Sequence, residues 1–170
     1  MSKSAQMLAA VYPDEEHAEV ILDMLERMHH AGTISLVDAA LVTKDDQGKV
    51  QIQETKELTA RKGARRGAVI IGSMAILFPP TIVASALAGG VIGAISGKLH
   101  DSGIKSKQQR ELADHLEQGK AIVVALAEDK SVAKVQSALK GFEGELIIAA
   151  IDEATMIEIN KAAVFEAGLD

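Results

Sequence analysis

Hydrophobic and polar positions follow two rhythms along this chain, and one long stretch breaks both. Met7 to Tyr12 is a short apolar run stopped by Pro13, which predicts a buried strand. Asp14 then offers a helix N-cap, Glu15 and Glu16 suit the positive helix end, and Ile21, Met24, Leu25 and Met28 recur at helical spacing. That helix should stop near Gly32. Leu36 to Thr43 predicts a second strand, and the largely alternating Val50 to Thr55 a third, joined by the polar hairpin turn Lys44-Asp45-Asp46-Gln47-Gly48-Lys49.

The same rhythms return later in the chain. Lys107 to Leu116 can form a helix with Leu112 and Leu116 on one face, and Ala121 to Ala127 is nearly continuous apolar sequence, as in a buried strand. Ser131 can cap a helix carrying Val132, Val135, Ala138 and Leu139, and Gly141 can end it. Glu145 to Ile151 predicts the last strand, and Asp152 can open a final helix through Met156, Ile159, Ala163 and Val164. Met7–Val42 and Ala121–Ile151 therefore read alike, each strand, helix, strand with an acidic turn before the helix. Two such units in one sheet predict an α+β, ferredoxin-like sandwich of two βαβ units with an inserted apolar helical hairpin. The expected division is 1–56 for the first half, 57–105 for the insertion, 106–151 for the second half and 152–170 for a C-terminal helix.

The insertion is the stretch that breaks both rhythms. From Gly67 to Gly97 no side chain is charged, and Gly89, Gly93 and Gly97 recur every four residues. That spacing lays a side-chain-free groove along one helix face, a glycine zipper open to close approach by another helix. Gly67 and Gly72 offer a similar surface on the first leg. Pro79-Pro80 breaks the helix between the legs, which makes a hairpin. At the helical rise the apolar legs reach roughly 18 Å and 25 Å, short of a bilayer core of about 30 Å. A re-entrant or mismatched hairpin fits better than two full spans.

Charge sharpens the picture. The whole chain carries 18 basic and 24 acidic residues, a formal net charge of −6. Lys56 to Lys107 holds a local excess of +6 and the remainder −12, so an acidic body carries a basic collar around the uncharged run. Arg61, Lys62, Arg65 and Arg66 fall on one helical stripe before it, and Lys98 follows it. These cations would keep both ends on the cytoplasmic side and could contact anionic lipid head groups. Tyr12, Phe78, Phe142 and Phe165 are the only aromatic residues, so the interfacial aromatic belt of a stable spanning pair is missing. Base-stacking platforms are missing too, and the acidic body argues further against nucleic acid as a partner. The chain contains no cysteine, which fits a reducing compartment, and its N-terminus reads as cytoplasmic.

Three features together carry a family resemblance. The lead-in Lys56-Glu57-Leu58-Thr59-Ala60-Arg61-Lys62-Gly63-Ala64-Arg65-Arg66-Gly67, the Leu77-Phe78-Pro79-Pro80 turn and the glycine-rich second leg, in this order of elements, resemble a bacterial family of unknown function. Its members are commonly labelled predicted membrane proteins. The resemblance extends over nearly the whole chain and implies no catalytic residues.

Enzyme chemistry finds little footing in the sequence. His17, His29, His30, His100 and His115 form no recognisable ligand set, so neither metal nor other cofactor is expected; His29-His30 at a helix end suits a structural or solvent role. Asp45-Asp46-Gln47-Gly48 lacks the later acidic ligand of a calcium loop and reads as a turn. Gly63-x-x-x-Gly67 and Gly89-Gly90-x-x-Gly93 lack the context of a phosphate cradle, and Ser35, Ser73 and Ser85 have no recognisable base partner. The expectation is a non-enzymatic protein that self-associates through its glycine-zipper hairpin at or in the cytoplasmic membrane, on the cytoplasmic face of the inner membrane. Its alternatives are a soluble cytoplasmic homo-oligomer with hairpins in its core, and a small-ligand sensor.

Overall fold

The structure, a computed structural model, describes residues 5–55, 77 and 78, 106–140 and 146–151. Its elements run β1 (Ala5–Tyr12), α1 (Glu15–His30), β2 (Leu36–Lys44), β3 (Val50–Glu54), α2 (Ser106–Glu117), β4 (Ala121–Glu128), a 3-10 turn (Asp129–Ser131), α3 (Val132–Leu139) and β5 (Leu146–Ile151). The fold is mixed α/β: one antiparallel sheet of five strands in the order β3-β2-β4-β1-β5, with three α-helices among the described residues. Apart from Leu77 and Phe78, the expected hairpin helices and the expected C-terminal helix lie outside the described residues.

Strand order follows from where the apolar runs sit. β1 and β4 are the two innermost of the apolar strands, paired over their full length from Ala5↔Glu128 to Tyr12↔Ala121. β5 adds outside β1 and β2 outside β4, each antiparallel. β3 folds back on β2 through a turn that Asp45 organises: its carboxylate accepts the amides of Gln47 (3.0 Å) and Lys49 (2.8 Å) and the side-chain amide of Gln51 (2.9 Å). Gly48 supplies the φ of +80° that the turn needs. These donors, the Lys49 amide foremost, hold the Asp45 carboxyl below the usual carboxylate range.

Alternation along the strands divides the side chains between two faces. The first face carries Leu8, Ala10, Tyr12, Ala39, Leu41, Ala121, Val123, Ala125 and Ala127, packed under Ala18, Ile21, Leu22 and Leu25 of α1 and Val135 and Leu139 of α3. A bulge lets Leu36 join them: Leu36 pairs with Ala127 and Asp38 with Leu126, so two steps on β2 oppose one on β4 and the pleat inverts. α2 packs on β2 and β4 from the other side. Its buried Leu112 and Leu116 stand outside the first-face cluster, and Glu117 pairs with Lys44, which alternates to the second face.

Helix ends show how local chemistry is used. Asp14 caps α1 as its position predicts, accepting the His17 amide at 2.9 Å; this bond holds its carboxyl below the ordinary value. Ser131 precedes α3 in the cap position but makes no capping bond. Its hydroxyl instead accepts the Ser35 amide at 2.7 Å, because the 3-10 turn brings it beside the loop before β2.

Candidate functional site

The described strands all lie before residue 55 or after residue 120, so the sheet is assembled from sequence on both sides of the uncharged run. The chain leaves the sheet towards that run at Thr55, whose amide donates to the Ala39 carbonyl at 3.4 Å, and returns to it through α2. Two buried polar residues mark the departure. Thr55 is 2% exposed, and Asp38, one position beyond Ala39 along β2, is 1% exposed with its carboxylate accepting the Ala39 amide at 2.9 Å. The sequence pattern does not reveal Asp38 as buried, because it alternates with Ala40 and Val42 to the second face and only the tertiary structure covers that face.

A second polar cluster ties the loop between α1 and β2 to the start of α3. The Ser35 amide donates to Ser131 and its carbonyl accepts the Glu128 amide at 3.1 Å, while Lys134 reaches the Thr33 carbonyl at 3.2 Å. His29 accepts the Leu36 amide at 3.1 Å through Nδ1, which ties the last turn of α1 to the start of β2. These groups bond to backbone that builds the fold, and the arrangement resembles loop fastening more than a nucleophile set beside a base. Among the described residues no three His, Asp or Glu side chains gather as a metal site. No described helix is long and apolar enough to cross a membrane.

The residues singled out for self-association (Gly67, Gly72, Gly89, Gly93 and Gly97), for head-group contact (Arg61, Lys62, Arg65, Arg66 and Lys98) and for the turn (Pro79 and Pro80) lie outside the described residues. Immediately before that turn, Leu77 and Phe78 are described, and both are completely buried. Their burial is the structural datum from within the uncharged run.

Comparison with known families gives one match. The sequence profile of the family described as "Protein of unknown function (DUF1269)" aligns with residues 60–163, more than half of the chain. The chain belongs to the DUF1269 family. The matched span takes in the lead-in from Ala60 onward, the uncharged run, α2, β4, α3 and β5, and it leaves out β1, the strand that joins β4 to β5. No curated protein and no solved structure matches the chain. DUF1269 membership therefore brings no assigned activity, substrate or partner with it.

Proposed function

We propose that this DUF1269 protein is a non-enzymatic, self-associating protein that assembles at the cytoplasmic face of the membrane. The strand order, with α1 crossing between β1 and β2 and α3 crossing between β4 and β5, supports a ferredoxin-like body. The uncharged run is the assembling element: Gly89, Gly93 and Gly97, with Gly67 and Gly72, form the close-contact surface of a helical hairpin turned at Pro79-Pro80. Arg61, Lys62, Arg65, Arg66 and Lys98 contact anionic head groups. One observation carries the reading. The strands of the sheet find their partners without the run, which leaves a 31-residue uncharged segment beyond what the sheet's hydrogen bonding requires.

A second reading, a soluble homo-oligomer with the hairpins packed against protein, is favoured by the complete burial of Leu77 and Phe78 within one chain. Purification without detergent, light scattering and flotation with anionic and neutral vesicles separate the two. Binding to anionic vesicles by an oligomer supports the membrane reading, whereas a stable soluble oligomer that ignores both vesicles replaces it. Replacing Gly93 with leucine should dissolve the assembly; an unchanged particle mass would end the glycine-zipper proposal.

A further inference from the structure

The second face of the sheet is covered more completely than α2 can account for. Met7, Ala9, Ala40, Val42, Ile122, Val124 and Leu126 alternate to that face and are each 0% exposed in a single chain. α2 is a helix of 12 residues that packs on β2 and β4, and the two buried residues it offers are Leu112 and Leu116. Met7 and Ala9 belong to β1, one strand further across the sheet, where α1 and α3 occupy the opposite face. A methionine with no exposed surface needs apolar atoms packed over it. Among the described residues, the buried apolar side chains that belong to no strand, to neither first-face helix, to no part of the first-face cluster and not to α2 are Leu77 and Phe78.

The register shows where a ring would fit. Ala9 lies opposite Val124, and Val124 lies opposite Ala40, so the row that crosses β1, β4 and β2 has an alanine on either side of a central valine. The rows on either side are larger: Met7 and Leu126 beside Asp38, then Val11 and Ile122 beside Val42. Smaller residues between two bulkier rows leave a shallow trough on a sheet face, with room for an incoming apolar side chain.

We propose that Leu77 and Phe78 dock intramolecularly on the second face of the sheet, over Met7 and Ala9 of β1 beyond the end of α2's cover. The residues just before Pro79-Pro80 are then an anchor on the chain's own body. The docking does not depend on what surrounds the rest of the run.

The absence of native cysteine makes the contact directly testable in the full chain. Leu77→Cys combined with Ala9→Cys should close a disulfide within one chain under mild oxidation, several-fold faster than Leu77→Cys combined with Ala10→Cys, which lies on the opposite face. Equal rates for the two pairs, or bonds formed only between chains, would overturn the docking. Methionine oxidation supplies an independent reading should the cysteine pair fail to fold. In Phe78→Ala, peroxide should convert Met7 to its sulfoxide several-fold faster than in the parent, with Met24 and Met28 on the first face unchanged. A folded Phe78→Ala in which Met7 stays as protected as before refutes the proposal, whatever the oligomer and vesicle measurements give.

Discussion

The Tyr12 hydroxyl donates a 2.8 Å hydrogen bond to the Leu139 carbonyl, joining the last residue of β1 to the last residue of α3. It is a buried link between the two βαβ halves, from residues 127 positions apart. Burial pushes the phenol up to about 12, since the charged form would lose its water in the apolar cluster.

Tyr12→Phe should therefore destabilise the fold by about 1–2 kcal/mol, the cost of leaving a buried helix-terminal carbonyl unpaired. In a chain of this size that is a fall of roughly 3–6 °C in melting temperature. The parent should also weaken in alkali. With the folded value raised above the unfolded one, the stabilisation is fully present below about pH 10 and is lost as pH rises towards 12. Thermal melts of both proteins across that window check the assignment: the phenylalanine variant should lack this part of the alkaline loss.

Asp14 predicts the opposite pH dependence. Its carboxyl is held low by the His17 amide first and by the His17 ring next, so its stabilisation is present above the ordinary carboxylate value and fades as pH falls below it. Asp14→Ala should fray the start of α1 at neutral pH and show a smaller acid-induced change than the parent. Amide exchange at Glu16 and His17 is the local measurement.

Ser131→Ala should cost about 1–2 kcal/mol, because the Ser35 amide would lose its acceptor in a part-buried loop. Ser131→Thr keeps the oxygen and should recover part of the loss. A capping role would leave the Ser35 amide unaffected by alanine, so the exchange rate of that amide distinguishes the two functions of the hydroxyl.

Gly48→Ala should cost about 1 kcal/mol through backbone strain at φ +80°. A β-carbon there would meet only the Lys44 side chain at 3.6 Å, an ordinary contact, so crowding adds nothing. Gly48→Asn should cost less than alanine, and chemical denaturation of the pair measures the difference.

Exchanging Arg61, Lys62, Arg65 and Arg66 together for glutamine should weaken binding to anionic vesicles at least about tenfold at low salt, if these cations meet head groups as proposed. Neutral vesicles serve as the reference. Equal binding of parent and variant to anionic vesicles would remove lipid head groups from their role.

The elements of the body were legible in the sequence because each has a local cause. Apolar runs cut by Pro13 or by a polar turn gave β1 and β2, Asp14 gave the start of α1, and Leu112 with Leu116 marked the buried stripe of α2. Asp45-Asp46-Gln47-Gly48 gave a turn because its carboxylate bonds to amides only two and four residues away. The uncharged run between Gly67 and Gly97 and its basic flanks were legible for the same reason, since charge and glycine spacing are properties of neighbours in the chain.

Tertiary structure alone decided what distant residues do to one another. Nothing near Tyr12 in sequence points to Leu139, and nothing near Ser131 points to Ser35; both bonds exist because the two halves meet across one sheet. Asp38 alternates with Ala40 and Val42 to the second face of the sheet, and it is buried because that face is covered in the folded chain. Complete burial of Leu77 and Phe78 belongs to the same class. An apolar pair beside two prolines is equally at home in lipid or in protein, and its burial within one chain shows only in the folded structure. Local periodicity selects the elements, while the partner of each side chain is chosen by contacts that no periodicity encodes.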